Sequence, residues 1–226
     1  MMRWWWNLVR FGFRLLYNEL AFTYDTVSKV VSLGAWRCWQ RSGIKYLNAQ
    51  RSDLILELAH GTGDLQIDLK AAGYRTVGYD LSPAMGKIAR RKLAKNRLSA
   101  DLVRGMAQRL PFSTASFKAV ISTFPTDFIF AGDTLQEAHR VLLPGGVFVI
   151  VPNGVFTSGG LARRFLEWLY RVTGQRDDAG TIMQQQIVAF FATHGFDVTF
   201  HQEACPRSLA TVLVARKKDY TSTAGV

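Results

Sequence analysis

An apolar strand that runs directly into a glycine loop most constrains what this chain can fold into. The run Leu54–Ala59 leads into Gly61 and Gly63, and an amphipathic segment follows at once. Glycines lack a Cβ, so the backbone can turn sharply and approach a ligand, with the amide groups of the next helix exposed at the loop. This order of strand, loop and helix favours a small-molecule site at the edge of a parallel sheet.

From Asp53 onward, short apolar runs alternate with amphipathic segments, the pattern of repeated strand–helix units. The predicted parallel strands are 54–59, 76–79, 101–103, 119–123 and 147–151, and the predicted helices are 64–72, 83–95, 133–142, 161–172 and 181–194. Residues 196–200 and 209–215 flank Pro206 with no helix between them, so we expect them to pair antiparallel. The sequence therefore predicts an α/β fold: a Rossmann-like, mostly parallel seven-stranded sheet with an antiparallel C-terminal hairpin and an N-terminal helical lid.

The net charge of +11, from 28 Lys and Arg against 17 Asp and Glu, favours partners that carry phosphate. Cys38 and Cys205 are far apart in the sequence, and neither belongs to a C-x-x-C pair. This spacing argues against a disulfide scaffold and a structural zinc site, so no metal is expected and a reducing cytoplasm fits best. No run approaches the roughly 20 apolar residues of a membrane-spanning helix.

A carboxylate at the end of the second strand adds information that the glycine loop alone does not supply. Asp80 stands where it can accept hydrogen bonds from both hydroxyls of a ribose. The third glycine of a dinucleotide fingerprint would fall at Gln66, which disfavours a nicotinamide oxidoreductase. Taken singly, Gly61 and Gly63 could form a tight turn, and Asp80 could cap the following helix. Together they predict a site for an adenosine-containing ligand.

The order of these motifs resembles the class I S-adenosylmethionine-dependent methyltransferases over about residues 53–151. The matching segments are Leu56–Gly63, Gly78–Ser82, Leu110–Phe112 and Arg140–Gly146. A closer resemblance, to ubiquinone and menaquinone C-methyltransferases, is carried by Tyr24 with Asp25, by Ser32–Gly34 and by Trp39. The resemblance implies S-adenosyl-L-methionine as cofactor, an N-terminal helical segment at residues 1–50 and a methyltransferase domain at residues 51–226.

The resemblance also implies which residues contact the cofactor. Glu57 and the glycine loop would hold the methionine part, Asp80 the ribose, and Leu81 with residues 107–108 the adenine. The complete expected set is Tyr24, Glu57, Leu58, Ala59, His60, Gly61, Gly63, Asp80, Leu81, Met106, Ala107, Gln108 and Thr123. Met106 and Lys118 stand where the family often has acidic or amide side chains, so the backbone of Ala107 is the expected contact to the adenine amine.

The methyl acceptor is expected beside the loop after Thr123, because ligands in such sheets lie outside the carboxyl ends of the strands. Its expected contacts are Phe124, Thr126 and Asp127. Asp127 is a candidate general base, and a turn or helix cap is the alternative. The quinone methyltransferases usually have Arg-Asn where Thr126 and Asp127 stand, so the resemblance weakens at this loop.

We predict methyl transfer to a small, lipophilic acceptor of quinone or lipid type. An RNA methyltransferase is the alternative, since a basic cluster between Lys87 and Arg97 could bind phosphates, although a solvated helix face explains that cluster as well. The Asn/Asp-Pro-Pro-aromatic turn of amino-directed nucleic-acid methylases is missing at Phe124–Asp127, so nucleic acid is the less expected partner. A nucleotide-dependent oxidoreductase or a binding module ranks third, and the sequence indicates no oligomeric state.

The N-terminal segment combines a narrow basic stripe with a wide aromatic face at helical spacing. The stripe is Arg3, Asn7, Arg10, Arg14 and Asn18, and the face is Trp4, Trp5, Trp6, Leu8, Val9, Phe11, Phe13, Leu15 and Leu16. Such a helix fits an anionic membrane surface. The alternative is that it packs on the protein's own sheet or roofs the acceptor pocket. We expect a cytoplasmic enzyme with peripheral membrane association.

Overall fold

The computed structural model describes residues 21–157 and 180–218. The predicted N-terminal helix within residues 3–18 and the predicted helix 161–172 lie outside these ranges. Among the residues described, no helix combines the length and the apolar character that crossing a bilayer requires.

Seven strands form one sheet, as the sequence predicts. They are β1 (Leu54–Leu58), β2 (Arg75–Asp80), β3 (Leu102–Arg104), β4 (Phe117–Thr123), β5 (Leu142–Phe156), β6 (Phe196–Cys205) and β7 (Ser208–Lys217). Their order is β3-β2-β1-β4-β5-β7-β6, with parallel pairing from β3 to β5 and antiparallel pairing of β7 with β5 and β6. The order reverses between β1 and β4, which is where open α/β sheets bind ligands.

Helices pack around this sheet and precede it. They are α1 (Tyr24–Val31), α2 (Trp36–Ser42), α3 (Asp64–Ala71), α4 (Pro83–Lys95), α5 (Gly132–Val141) and α6 (Gly180–Ala192), with 3-10 helices at Ala21–Thr23, Ile44–Tyr46 and Asp127–Phe130. Helix α4 begins where a proline in the first turn and a serine cap predict it: the Ser82 hydroxyl accepts a hydrogen bond from the Met85 N–H at 3.2 Å. The described part of the N-terminal segment is helical, as expected.

The central strands bury apolar side chains on both faces of the sheet. Leu56 and Leu58 belong to the core cluster on one face, whereas Ile55 and Ile121 belong to the cluster on the other. Successive strand residues point to opposite faces, so both clusters draw on the same short runs. Helices cover both faces, which is why these strands have continuous apolar sequences rather than alternating ones.

Strand β5 is longer than predicted, because residues 142–156 are extended rather than 147–151 alone. Leu142 already pairs with Phe117 of β4, ahead of an irregularity in the ladder, and helix α5 therefore ends at Val141. At the other end, residues 153–156 pair with β7 beyond the last partner in β4. The proline and glycines at 144–146 predicted a shorter strand, since such residues usually end one.

The two cysteines form a disulfide, so the prediction against disulfide bonding is wrong. Cys38 on α2 and Cys205 at the end of β6 are 167 residues apart in sequence, but their Cα atoms lie 5.9 Å apart. This separation lies within the usual range for a disulfide. Only the fold brings the hairpin against α2, so sequence spacing could not reveal the pair. The argument for a reducing compartment from unpaired cysteines loses its basis.

Candidate active site

The glycine loop turns at the carboxyl end of β1 in a conformation that requires its glycines. Gly61 and Gly63 have φ values of +53° and +82°. No atom lies within 4 Å of the position that a Cβ on Gly61 would occupy, whereas a Cβ on Gly63 would lie 2.7 Å from the Cβ of Ala89 on α4. Gly61 therefore faces open space next to the loop, and Gly63 allows close packing between the loop and α4.

Asp80 ties this loop to the second strand. Its Oδ2 accepts the Gly61 N–H at 2.9 Å, and its Oδ1 accepts the Ser82 N–H at 2.8 Å. The cap of helix α4 is Ser82 rather than Asp80. Each carboxylate oxygen has a further lone pair, so Asp80 can hold the loop and accept ligand hydroxyls at the same time.

Apolar side chains project at the carboxyl ends of β2 and β3. Leu81 is 59% exposed and Met106 is 57% exposed, whereas Ala107 is buried and Gln108 is half-buried. The Gly105 N–H donates to the Asp80 carbonyl at 3.1 Å, which holds the two strand ends together. Large exposed apolar side chains on adjacent strand ends offer a surface for a planar, apolar ring.

Glu57 lies beneath the loop and is 1% exposed. Its Oε2 accepts a hydrogen bond from Gln66 Nε2 at 2.6 Å, and Gln66 Oε1 accepts one from Thr76 Oγ1 at 2.7 Å. Burial raises the pKa of Glu57 to about 8; the Gln66 hydrogen bond opposes this rise and the charge of Asp80 adds to it. Gln66, which sequence reasoning treated only as a missing glycine, thus bridges β1 and β2 in the interior. A glutamine between apolar helix positions was the available signal.

His60 supports the loop from within. Burial lowers the pKa of His60, and the nearby Asp80 charge opposes this shift. Its Nδ1 lies 2.9 Å from the Gly61 carbonyl oxygen, which can only accept a hydrogen bond. A neutral imidazole that donates to the loop backbone is consistent with both observations. Leu58, just before the turn, is fully buried, and its carbonyl accepts the Ser122 hydroxyl of β4 at 2.8 Å.

Aromatic rings line the end of β4, across the switch point from the glycine loop. Phe124 has φ +50°, and its N–H donates to the Val151 carbonyl at 2.8 Å. Its ring stacks on Trp36 of α2, with centroids 3.9 Å apart and planes at 20°. Ala59, at the end of β1, also has a positive φ, +57°.

Three further contacts extend and anchor this aromatic wall. Tyr24 meets Trp36 edge to face at 6.1 Å, so helix α1 adjoins the same cluster. Trp39 is 4% exposed, its indole N–H donates to the Ser208 hydroxyl of β7 at 2.9 Å, and its ring lies on Gly154 so closely that a Cβ there would collide with it. Sequence reasoning missed Trp36, although its spacing of three residues from Trp39 on a helix was a usable signal.

The loop after β4 exposes the remaining expected acceptor residues. Thr123 is nearly buried, and both Thr126 and Asp127 are exposed at the start of a 3-10 helix. The Thr126 side chain makes no capping hydrogen bond to that helix. Within residues 21–157 and 180–218, the Asp127 carboxylate has no hydrogen-bond or ion-pair partner, so the alternative of a capping role has no support.

A family model and several known proteins match this chain. The model of the ubiE/COQ5 methyltransferase family matches residues 13–186. The chain belongs to this family. The demethylmenaquinone methyltransferase of Chlorobaculum tepidum is 36% identical over 169 residues, which cover 72% of this chain and 68% of that protein. The Thermus thermophilus enzyme of the same name is 36% identical over 149 residues, covering 62% and 68%.

Solved structures with lower sequence identity share the fold. The geranyl diphosphate C-methyltransferase of Streptomyces coelicolor superposes with a TM-score of 0.60 at 13% identity, covering 84% of this chain and 83% of that one. The phosphoethanolamine N-methyltransferase 2 of Haemonchus contortus gives a TM-score of 0.58 at 17% identity, covering 82% and 53%. The family match confirms the predicted enzyme class: this is an S-adenosyl-L-methionine-dependent methyltransferase.

Proposed function

We propose that this methyltransferase acts on a ring carbon of a lipophilic, quinone-like acceptor in its reduced, electron-rich form. The stacked pair of Trp36 and Phe124 is the observation that carries this proposal; Phe124 follows the end of β4, the strand next to β1 and its glycine loop. Planar rings stack on such side chains in offset or edge arrangements. The names of the two demethylmenaquinone methyltransferases support the same acceptor class.

The residues around the glycine loop fit the cofactor. The open space at Gly61 admits a ligand against the backbone, and the free lone pairs of Asp80 would accept the two ribose hydroxyls. Leu81 and Met106 would enclose the adenine, with the Ala107 backbone beside it. Tyr24 would close over the methionine part of the cofactor, which Glu57 is also expected to contact. When bound, S-adenosyl-L-methionine supplies an electrophilic methyl group on a sulfonium.

The protein's own contribution is alignment, exclusion of water and removal of one proton. Trp36 and Phe124 would fix the acceptor ring with its attacking carbon toward the loop, and displacement reactions of this kind gain much of their rate from such positioning. When the new carbon–carbon bond forms, the ring carbon must release its proton. We assign this proton to the Asp127 carboxylate, which is exposed beside the wall and has no partner in the described residues.

Methyl-labelled S-adenosyl-L-methionine tests the acceptor class directly. The protein is incubated with chemically reduced demethylmenaquinone that carries a short isoprenoid tail, and in parallel with polar metabolites and with RNA. We expect label in the quinol alone. Label in RNA or in the polar fraction, with none in the quinol, would reject the proposed acceptor while leaving the methyltransferase class intact.

Two variants assign the parts of the site. Phe124→Ala should raise the KM for the quinol about tenfold and leave cofactor affinity within about twofold, because it removes a stacking surface of roughly 1 kcal/mol or more. Asp127→Asn should lower kcat by about 100-fold with both KM values unchanged if this carboxylate takes the proton. Full activity of Asp127→Asn on the quinol would remove this residue from the mechanism.

We further propose that the enzyme takes its acceptor from an anionic membrane surface. The amphipathic sequence of residues 3–18 supports this, and so does the excess of 11 positive charges. Helix α1 and the turn after it, which follow that segment, expose Val30 and Leu33 at 67% and 63%, with the exposed Lys29 on the same helix as Val30. Apolar side chains next to basic ones are typical of helices that lie at lipid headgroups.

Vesicle sedimentation tests the membrane proposal. The full chain should sediment with phosphatidylglycerol vesicles at low salt and not with phosphatidylcholine vesicles. Deletion of residues 1–18 should abolish sedimentation while leaving cofactor affinity nearly unchanged, because the glycine loop begins far downstream. A full-length chain that ignores anionic vesicles would exclude this mode of acceptor uptake.

A further inference from the structure

One lysine side chain joins four elements around the glycine loop. The Lys92 ammonium on α4 lies 2.5 Å from Asp25 Oδ2 of α1 and 2.8 Å from Asp64 Oδ1 at the start of α3. It also donates to the Thr62 hydroxyl at 3.0 Å, and that hydroxyl donates to Asp25 Oδ1 at 2.6 Å. Lys92, Asp25, Thr62 and Asp64 therefore form one closed network, called here the Lys92 junction.

The Lys92 junction connects the loop to helix α1. Thr62 stands between Gly61 and Gly63, the two residues with left-handed backbone in the loop. Asp25 follows Tyr24, whose ring contacts the aromatic wall. The side chains of Thr62 and Asp25 therefore link the loop to helix α1, and Lys92 contacts both of them.

The charge balance of the junction makes Lys92 its central member. Asp25 and Asp64 both contact the same nitrogen, so they repel each other once the ammonium is removed. The side chains are only 24%, 32% and 23% exposed for Lys92, Asp25 and Asp64, which reduces screening by solvent. Arg37 of α2 lies 3.9 Å from Asp64 and binds Asp68 at 2.7 Å, so it does not replace the link to Asp25.

Lys92 differs in this respect from the rest of the basic cluster on α4. Its neighbours Lys87, Arg90, Arg91 and Lys95 are exposed, as a solvated helix face requires. Lys92 is half-buried and engaged by three oxygen atoms from three other elements. The cluster therefore contains one structurally specific cation among exposed ones.

We propose that Lys92 is a positioning residue for cofactor binding: its ammonium holds helix α1 against the glycine loop and so keeps Tyr24 over the methionine part of the cofactor. The inference rests on the proposed assignment of the loop and Tyr24 to the cofactor site. It does not depend on which acceptor receives the methyl group. Lys92 itself takes no part in the transfer.

Lys92→Met and its matched control Lys95→Met test this role by calorimetric titration with S-adenosyl-L-methionine in the absence of acceptor. Both changes remove one positive charge from the same helix, but Lys95 is exposed and outside the junction. We expect about tenfold weaker binding for Lys92→Met and a change below about twofold for Lys95→Met. Lys92→Arg should recover most of the affinity, because it restores the cation.

Kinetic and coupling measurements separate positioning from a general loss of structure. Lys92→Met should raise the KM for S-adenosyl-L-methionine about tenfold, while kcat at saturating cofactor stays within about twofold. Asp25→Asn, a nearly isosteric change, should weaken binding in the same direction and should add little to Lys92→Met in the double variant. If Lys92→Met melts far below the wild type, Asp25→Asn carries the test, and its own melting temperature, expected within a few degrees of the wild type, is the control for its fold.

The Asp80→Ala variant distinguishes a failure of the Lys92 proposal from a failure of the proposed cofactor site. Loss of cofactor affinity in Asp80→Ala, with wild-type affinity in both Lys92→Met and Asp25→Asn, would overturn the role of Lys92 and leave the site assignment standing. Unchanged affinity in Asp80→Ala would instead overturn the site assignment itself.

Discussion

Replacing Glu57 by glutamine removes the titratable group of this buried side chain and keeps nearly the same size and shape. The side chain is almost completely enclosed, and it accepts a hydrogen bond from Gln66 at 2.6 Å. A glutamine at this position can accept the same hydrogen bond through its own carbonyl oxygen. The variant therefore keeps the contact and removes the titration.

The size of the effect follows from the pKa of Glu57, which burial raises from 4.5 to about 8. Between these two values the folded state binds a proton that the unfolded state has lost, so the free energy of unfolding of the wild type falls as pH rises. One pKa unit corresponds to about 1.4 kcal/mol, which gives a total loss of at most about 5 kcal/mol. The side chain of the Glu57→Gln variant does not titrate, so the free energy of unfolding of this variant does not fall for this reason.

Urea unfolding followed by tryptophan fluorescence measures the difference. At about pH 5 the two proteins should have similar free energies of unfolding, and at about pH 8 Glu57→Gln should be more stable by roughly 3 to 5 kcal/mol. An equal difference at both pH values would refute the argument that Glu57 is protonated in the folded protein. Cofactor titration of the same variant shows whether Glu57 contacts the methionine part.

Three further expectations concern other parts of the fold. Gly61→Ala should lose cofactor affinity and lower the free energy of unfolding by about 1 kcal/mol, the cost of left-handed backbone at a non-glycine residue. Gly63→Ala has the same backbone cost and also crowds α4, so it should lower the free energy of unfolding by roughly 2 to 4 kcal/mol; equal losses in the two variants would contradict the packing role of Gly63. Cys38 and Cys205 should resist alkylation until a reductant is added, and Cys38→Ser should destabilise the protein by roughly 2 to 5 kcal/mol; free alkylation of both would disprove the bridge. The hydrogen bond from Arg140 lowers the pKa of Glu137. In thermal melts, Glu137→Gln should therefore be less stable than the wild type near neutral pH, and this difference in stability should shrink as pH falls through the lowered pKa. A difference in stability that grows toward acid pH would contradict this prediction.

The meeting of the glycine loop with Asp80 could be predicted because its signals are local. Gly61 and Gly63 follow a five-residue apolar strand without interruption, and Asp80 ends the next strand, so sequence order alone fixes their meeting at one sheet edge. The hairpin around Pro206 was equally readable, since two β-rich runs with no helix between them have few other ways to pair.

The contacts that link distant segments could not be read in the same way. Cys38 meets Cys205, and Trp39 meets Ser208, only after the last two strands have folded back along α2. Lys92 looks like its exposed neighbours in sequence, because the two carboxylates that single it out, Asp25 and Asp64, come from two other helices. Gln66 was misread for a related reason: its partners lie on two separate strands.

The contact between Trp39 and Gly154 links the proposed acceptor wall to strand β5, which contributes neither the glycine loop nor Asp80. Gly154 belongs to the far half of β5, which pairs there with β7, and the indole that rests on it adjoins Phe124 with centroids 6.0 Å apart. A side chain at residue 154 would collide with the indole and force it to move, and Phe124, a proposed acceptor contact, adjoins that indole. On the proposed acceptor site, changes in the antiparallel edge would alter acceptor specificity while the glycine loop and Asp80 stay unchanged. Substitutions on this side of the sheet would therefore change acceptor specificity without changing cofactor binding.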